Sequence, residues 1–429
     1  MRDIIIAMMV FGAVPFMLTR PHIGVLVWSW LGYMNPHRMA YGFAYSFPFS
    51  TVTAIATLAG LVFSSEKKNM PWSGTTAAWI MLVIWLNITT LFALNHVEAM
   101  YEWDRTMKTM LMVLVTLLVI NTRERINALV WVIVISLGFY GVKGGLFSLA
   151  TGGNYRIWGP ENSFIEDNNA LALALVMTLP LMRYLQLISK NKYIRWGMVL
   201  SMCLTAVSIL TSFSRGALLA SSLMAVFLAW KSKYRLRMFV AMIVLVPAML
   251  AMMPQAWWDR MNTIQSYDKD ASAMGRINAW VFAYNLALDR PLVGGGFKAF
   301  TKELFYKYAP DPEDHHAAHS IYFQVLGDQG FVGLLLFLIL GAMTLVTGRW
   351  VIKQTRDRPD LSWAHDLAGM LQVSTMGYAT GGAFLSLAYY DLFYHIMALM
   401  IILQYMVRKI IAQEKSSAEP QRRFSPMLQ

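Results

Sequence analysis

Charged residues are scarce in this sequence. Asp, Glu, Lys and Arg make up 14% of its 429 residues, whereas a soluble protein carries about 25%. Hydrophobic residues make up 57%. Because helix surfaces that face lipid need no solvating charge, this deficit argues against a soluble protein and predicts an integral membrane protein.

Cysteine is nearly absent as well. The single residue, Cys203, excludes an intramolecular disulfide, so exposed loops must be held by packing and hydrogen bonds. The sequence has no HExxH zinc pattern. Its apolar N-terminus lacks a small-residue cleavage site, so we expect this segment to be a retained anchor.

Apolar segments alternate with short polar links along most of the chain. Stretches such as 77–94 and 331–346 approach or reach the roughly 18 apolar residues of a membrane helix. Other spans are predicted near 49–63, 106–120, 169–187, 216–230 and 238–253. We predict an all-α polytopic membrane protein with about 12 transmembrane helices, 11 to 13 in all. The first two segments are short, and two full helices, a re-entrant pair, or one span plus an interfacial helix all fit. The predicted divisions are 1–253 (transmembrane helices), 254–319 (one long, partly helical loop), 320–410 (further transmembrane helices) and 411–429 (a flexible tail).

The net charge of +12 is concentrated in the links. Basic residues cluster near positions 67, 123, 190, 233, 353 and 408, and this positive-inside pattern predicts that those links and the C-terminus are cytoplasmic. The basic excess therefore indicates topology and not a nucleic-acid partner. The segments expected on the outer face are 35–48, 95–104, 151–163, 213–215 and 254–319.

The long polar loop 254–319 is the most plausible place for chemistry, and its histidines allow three interpretations. On a helix, His315 and His319 would share one face and could bind zinc with a neighbouring carboxylate. Alternatively, one imidazole at the head of a membrane helix acts as a base, because its pKa lies near neutrality. The third interpretation is a solvated interfacial cluster. The pair Asp268 and Asp270 also leaves a metal open, although a charged turn explains it equally.

Several cations and amides are expected on the same outer side. Arg215 lies in a turn between two apolar spans, where its planar guanidinium could bind a phosphate through two hydrogen bonds. Alternatively, its side chain snorkels to the lipid headgroups. Arg276 begins a predicted helix, where a surface ion pair would also explain it. The Gly294–Gly296 triplet is either a simple turn or a close backbone approach. Further candidates for the site are Arg156, Lys143, Asn169 and His316.

These motifs, taken together, resemble the O-antigen ligase superfamily. The resemblance rests on FSRGALLA at 213–220, on GR at 275–276 with Trp280, on RPLVGGGF at 290–297 and on AHSIY at 318–322. The stretch from Arg156 to Leu171 is similar to that family's Arg-x-x-Gly and Asp-Pro-Asn motifs. Two positions depart from the pattern: Ser320 stands where the family usually has Asn, and Asn168 where it usually has Pro.

The resemblance implies a GT-C-like bacterial inner-membrane glycosyltransferase with its active site facing the periplasm. It implies transfer of a glycan from undecaprenyl pyrophosphate to a hydroxyl of lipid A–core, in an inverting reaction without a metal, nucleotide or other cofactor. By the same resemblance, His319 is the catalytic base, and Arg215 and Arg276 bind the donor pyrophosphate. A glycan polymerase and a protein O-glycosylation ligase would use the same donor. A transporter is the non-enzymatic alternative, but it would place charges within several spans.

Overall fold

The computed structural model describes residues 1–231, 253–262 and 271–423, together with the single positions 236, 240, 243, 247 and 251. All regular secondary structure in these ranges is helical. In chain order the helices are α1 (Arg2–Thr19), α2 (Pro21–Met34), α3 (Phe49–Phe63), α4 (Gly74–Leu91), α5 (His96–Val119), α6 (Arg123–Ala150), α7 (Asn168–Ile188), α8 (Lys192–Leu210), α9 (Arg215–Lys231), α10 (Gln255–Asn262), α11 (Ala271–Asp289), α12 (Lys302–Tyr308), α13 (Ile321–Thr355), α14 (Ser362–Gly381) and α15 (Asp391–Arg423).

Seven helices in the described part of the chain are long and apolar enough to cross a membrane, namely α1, α4, α6, α7, α8, α13 and α15. Helices α3 and α9 are apolar but shorter. These helices confirm the all-α polytopic membrane class. The number of about 12 spans stays a prediction, and the span expected at 238–253 falls almost wholly outside the described residues.

Helix α7 lies in the middle of the bundle, between α6, α8 and α14. Small residues allow these helices to approach closely. A Cβ added at Gly145 of α6 would collide with the backbone carbonyl of Leu204 in α8. Such close backbone contact is a common basis of helix association in lipid, where the hydrophobic effect between helices is absent.

The first two segments are two separate helices that run in opposite directions. Helix α2 has only 14 residues, and the chain reverses at Arg20. The carboxylate of Asp3 accepts hydrogen bonds from the backbone amides of Gly42 and Ala44, at 3.0 and 3.1 Å. The beginning of α1 therefore lies at the same end of the bundle as the segment that follows α2.

The segments predicted for the outer face meet at one end of the bundle, which we call the site end. Asn162 donates to Tyr45 Oη at 3.2 Å, and Trp257 Nε1 donates to the carbonyl of Leu210 at 2.9 Å. The amide of Leu94 donates to the carbonyl of Gly295 at 2.8 Å. These bonds join 43–45 to 157–167, the last residue of α8 to 254–262, and 92–95 to 290–297.

Basic links lie at the opposite end, which we call the basic end. There Arg125 forms a bidentate ion pair with Glu66, in which both N–O distances are 2.9 Å. Arg358 pairs with Asp360 and Glu414 at 2.7 and 2.6 Å. The links therefore carry their own carboxylates as well as a basic excess.

Two segments contain more helix than the sequence indicates. Residues 95–104, expected to be a polar link, are the first turns of α5, and Asn95 caps that helix by accepting from the amide of Glu98. The tail expected from residue 411 begins as a continuation of α15, which extends to Arg423. Residues 424–429 lie outside the described ranges.

Helix α13 is broken at Gly330, and the glycine triplet fills the break. Gly330 has φ +70°, and a Cβ on Gly294 would lie 2.5 Å from its nitrogen. The amides of Gly295 and Gly296 donate to the carbonyls of Gly327 and Asp328, both at 2.8 Å. The triplet is therefore a close backbone approach, and it satisfies carbonyls that the break would leave unpaired.

Candidate active site

His319 lies in an irregular segment immediately before α13, at the site end. Its φ of +43° is a left-handed conformation that non-glycine residues adopt infrequently. The backbone amide of His319 donates to Ser386 Oγ at 2.7 Å. This bond ties the unusual backbone to the segment between α14 and α15.

The helical zinc geometry is not formed, because residues 315–319 have no helical turn. His315 Nε2 instead lies 2.9 Å from the carbonyl oxygen of Phe300, and its ring packs edge-on against Phe305. Within the described ranges, no group of three or more His, Cys, Asp and Glu side chains could hold a metal ion. Asp268 and Asp270 lie outside those ranges.

Helix α11 holds the segment before His319 in place. The side chain of Asn278 donates to the carbonyls of Asp311 and Asp314 at 2.7 and 2.9 Å. Trp280 Nε1 donates to the carbonyl of Ala318 at 2.8 Å. The same helix therefore carries Arg276 and orients the backbone beside His319.

The surroundings of His319 keep its side chain neutral. Burial, and secondly the charge of Arg276, lower the pKa of His319 below its ordinary value of 6.5. The carboxylate of Asp167 acts in the opposite direction, and His316 reinforces the lowering to a smaller extent. A neutral imidazole near pH 7 has a free lone pair, so it can accept a proton.

Arg215 is the first residue of α9 and is half-buried. The preceding Ser214 accepts from the amide of Ala217 at 3.2 Å, as an N-capping residue does. A Cβ on Gly216 would meet Phe384 Cβ at 3.1 Å, and one on Gly382 would meet Ile321 Cδ1 at 2.7 Å. The 3₁₀ turn Gly382–Phe384 thus lies between the first turns of α9 and α13, and it links Arg215 to the His319 segment.

The start of α7 adds a carboxylate to this cluster. Asp167 caps α7 by accepting from the amides of Asn169 and Ala170, and it also accepts from Asn169 Nδ2 at 3.0 Å. Asn168 donates to the carbonyl of Ser212 at 2.6 Å. Asn169 therefore orients Asp167, the residue whose charge acts on His319.

The other predicted site residues are divided between two places. His316 lies beside Gly275, and its Nε2 is 2.7 Å from Asp314 Oδ1, so it belongs to the cluster around His319. The guanidinium of Arg156 lies 5.7 Å from the ring centre of Phe213, in the turn before Arg215. Lys143 is different: it is exposed on α6 and lines a separate cavity with Arg38.

A cavity of about 720 Å³ adjoins the His319 segment. Its walls come from the first turns of α5, the segment 298–303, α13 and the segment 386–390. Arg105 stacks on Phe164 with its guanidinium carbon 3.3 Å from the ring centre, and Lys298 lies 3.6 Å from Glu98. Other polar and aromatic side chains of the cavity include Glu102, Glu303, His315, Phe300, Tyr389 and Tyr390.

Sequence reasoning missed three parts of this site. Ser386 lies in an apolar stretch far along the chain, and no motif marks it. Glu102 and Arg105 were assigned to a link and to a span boundary. The spacing of Glu98, Glu102 and Arg105 at i, i+4 and i+7 is a helical signal that could have identified them as one face.

Two family matches cover most of the chain. Residues 200–338 match the family described as O-Antigen ligase, and residues 1–190 match a family of unknown function designated DUF5935. Arg215, Arg276 and His319 all lie in the first of these regions, whereas Lys143, Arg156 and Asn169 lie in the second. A comparison with curated proteins gives no match.

Proposed function

Residues 200–338 belong to the O-antigen ligase superfamily, and from this premise we propose that the protein is a membrane glycosyltransferase of the O-antigen ligase type. It transfers a glycan from undecaprenyl pyrophosphate to a hydroxyl of the lipid A–core acceptor. The observation that carries the proposal is the environment of His319. A histidine kept neutral by burial and by Arg276, next to the first turn of α9 with its arginine, suits proton abstraction beside a bound anion.

His319 acts as the general base. It takes the proton of the acceptor hydroxyl while that oxygen forms a bond to the anomeric carbon of the donor sugar. The bond between that carbon and the pyrophosphate oxygen breaks in the same step, and the electron pair leaves with undecaprenyl pyrophosphate. Attack from the face opposite the leaving group inverts the anomeric centre.

Arg215 and Arg276 bind the pyrophosphate. Both residues are half-buried, so charge–charge interactions there are stronger than in bulk water. Their positive charges stabilise the negative charge that develops on the leaving group. The beginnings of α7, α9 and α13 meet near them, and the partial positive charge of helix N-termini also favours an anion. These groups supply the charge stabilisation for which many glycosyltransferases use a divalent metal.

The 720 Å³ cavity is the proposed space for the acceptor. Ala317, Ala318 and Ser386 line it, so it reaches the segment that holds His319. Aromatic rings such as Phe164 can pack against sugar faces, while Glu102 and Arg105 can bond to hydroxyls.

We assign the site end to the periplasm and the basic end, with the C-terminus, to the cytoplasm of the bacterial inner membrane. The support is the basic excess of the links at 67, 123, 190 and 353, which the positive-inside rule places in the cytoplasm. A carrier-linked glycan presented at the periplasmic surface would then be in reach of Arg215 and Arg276.

The test is a transfer assay with purified full-length protein and undecaprenyl-pyrophosphate glycan. His319→Ala should abolish transfer, while His96→Ala, which changes an exposed histidine at the same end, should retain it. Correct folding of both variants is checked by their melting temperatures. If His319→Ala turns over as fast as wild type, His319 is not the general base.

The same assay distinguishes the acceptors. Lipid A–core should be glycosylated, and activity should persist with a chelator. Chain lengthening with carrier-linked glycan alone would instead identify a polymerase, and labelling of a Ser- or Thr-containing secreted protein would identify a protein ligase.

A further inference from the structure

A second cavity lies at the site end, within the region that matches the family of unknown function. It has a volume of about 1090 Å³ and is bounded by α1, the segment 36–46, α6 and residues 159–161. We call it the cationic cavity, because Arg2, Arg38 and Lys143 line it.

The lining of this cavity carries more positive than negative charge. Within the part of the chain that the structure describes, none of the three cations forms an ion pair, and Glu161 is the single acidic residue of the lining. Asp3 is close to Arg2 in the chain, but its carboxylate is engaged by the amides of Gly42 and Ala44. An excess of positive charge of this kind attracts anions.

Both arginines are held in position. Arg2 Nη1 donates to the carbonyl of Met39 at 3.0 Å, and its guanidinium lies 5.9 Å from the ring centre of Tyr41. The guanidinium of Arg38 lies 5.0 Å from the ring centre of Tyr45. Because these side chains are already oriented, less conformational entropy is lost when they bind a ligand.

Lys143 is the most informative of the three. It lies inside α6, seven residues before the helix ends at Ala150, on a face that also exposes Phe139 and Leu146. An ammonium at such a position in a membrane helix is expensive unless it reaches water or an anion. Lys143 lines the cavity that holds the two arginines, so a bound anion would satisfy it.

The remaining wall of the cavity is apolar. Ile5, Met9 and Phe139 line it and are 51%, 55% and 39% exposed. Both α1 and α6 are candidate membrane helices, so this wall faces lipid. A ligand that fits has an anionic head for the cations and an acyl or prenyl portion for the apolar wall.

We infer that the cationic cavity binds the phosphate group of a membrane amphiphile, at a site separate from the donor pyrophosphate site. The ligand phosphate accepts charge-assisted hydrogen bonds from Arg2, Arg38 and Lys143. Its hydrocarbon lies along α1 and α6. This role is independent of glycosyl transfer, and it gives residues 1–190 a lipid-binding function.

The experiment measures lipid binding to purified full-length protein by native mass spectrometry. Phosphatidylglycerol is the probe, phosphatidylcholine is the zwitterionic comparison, and inorganic phosphate is added as a competitor. Wild type should retain phosphatidylglycerol in preference to phosphatidylcholine. Millimolar inorganic phosphate should not displace it, because free phosphate lacks the apolar portion.

The double variant Arg38→Gln/Lys143→Gln should bind phosphatidylglycerol about tenfold more weakly, since two charge-assisted contacts are removed. The matched control Lys302→Gln/Lys307→Gln removes the same charge from α12, at the same end of the molecule, and should bind as wild type does. Arg38→Lys/Lys143→Arg keeps the charge and should retain most of the binding, which separates a lipid contact from a folding defect.

Equal binding by the double variant and wild type would overturn the inference. If inorganic phosphate displaces phosphatidylglycerol, the cavity binds phosphate without needing a hydrocarbon portion, and the proposal of a membrane amphiphile is wrong. Loss of binding in the α12 control as well would show that general surface charge holds the lipid, which also contradicts the cavity.

Discussion

Two groups of cations lie at the same end of this protein, and they differ in what accompanies them. Around His319, the charges of Arg276 and Asp167 act on a half-buried imidazole, and Arg215 begins a neighbouring helix. In the cationic cavity, the described lining contains Arg2, Arg38 and Lys143 and an apolar wall but no histidine. Cations alone provide binding, whereas cations beside a neutral base provide binding and proton transfer. The first group therefore suits chemistry and the second suits retention of a lipid.

Among the substitutions that test this difference, those at the arginines of the first group should have the largest effect on glycan transfer. Arg215→Gln or Arg276→Gln should lower kcat of glycan transfer by about 10²- to 10³-fold, because each removes a charge that stabilises the leaving group. Steady-state assays with carrier-linked glycan measure the change. Arg356→Gln, at an exposed position of the basic end, is the matched control and should leave kcat unchanged. A loss below about threefold at both arginines would contradict their assignment.

A smaller effect is expected at Ser386, which acts as a positioning residue. Ser386→Ala removes the hydroxyl that accepts from the backbone amide of His319, so kcat should fall about fivefold to tenfold with little change in KM. Ser386→Thr keeps a hydroxyl and should restore most of the activity. If the Ala and Thr variants lose activity equally, the serine fills space and does not position the base.

The pH dependence of transfer tests the environment of the base. The pKa of His319 is lowered from 6.5, so the neutral form persists below that pH, and the acid limb of kcat/KM should lie below 6.5. The carboxylate of Asp167 raises this pKa. Asp167→Asn should therefore shift the acid limb of the kcat/KM profile to still lower pH. A pH–rate profile of both proteins measures the limb. Movement of the limb towards higher pH in Asp167→Asn would contradict the electrostatic account.

The smallest effect on transfer is expected in the second group. Lys143→Gln should keep kcat within about twofold of wild type, because mutations away from the reacting groups usually have small effects. The transfer assay measures it beside Arg215→Gln. If Lys143→Gln lowers kcat as much as Arg215→Gln does, Lys143 acts in glycan transfer, and the two groups of cations belong to one site.

Much of the architecture follows from the sequence alone. In lipid, backbone amides and carbonyls must be satisfied within the segment, so a long apolar stretch has to be a helix. The predicted segments at 49–63, 169–187 and 216–230 accordingly lie within one residue of α3, α7 and α9. The residues proposed for catalysis were also identified from local motifs, since His319, Arg215 and Arg276 each stand in a recognisable pattern.

Polar helix turns were harder to predict. Residues 96–104 form part of α5 although three of them, Glu98, Glu102 and Asp104, are acidic. Glu98, Glu102 and Arg105 line a cavity there instead of facing lipid. Apolar content is a weak guide where a helix lines a polar space, because its stability then comes from tertiary contacts.

The tertiary structure alone decided which candidates act together. His319 and Ser386 are 67 residues apart, and their hydrogen bond depends on how α13 and α14 pack. The sequence predicts Lys143 on the same side of the membrane as His319, and it was therefore a candidate for the same site. In the structure, α6 places it in the lining of a different cavity. Sequence spacing determines the helix and the end of the bundle to which a residue belongs. Which face of that helix meets which neighbour depends on packing between distant segments, and that packing separates the proposed catalytic cluster from the cationic cavity.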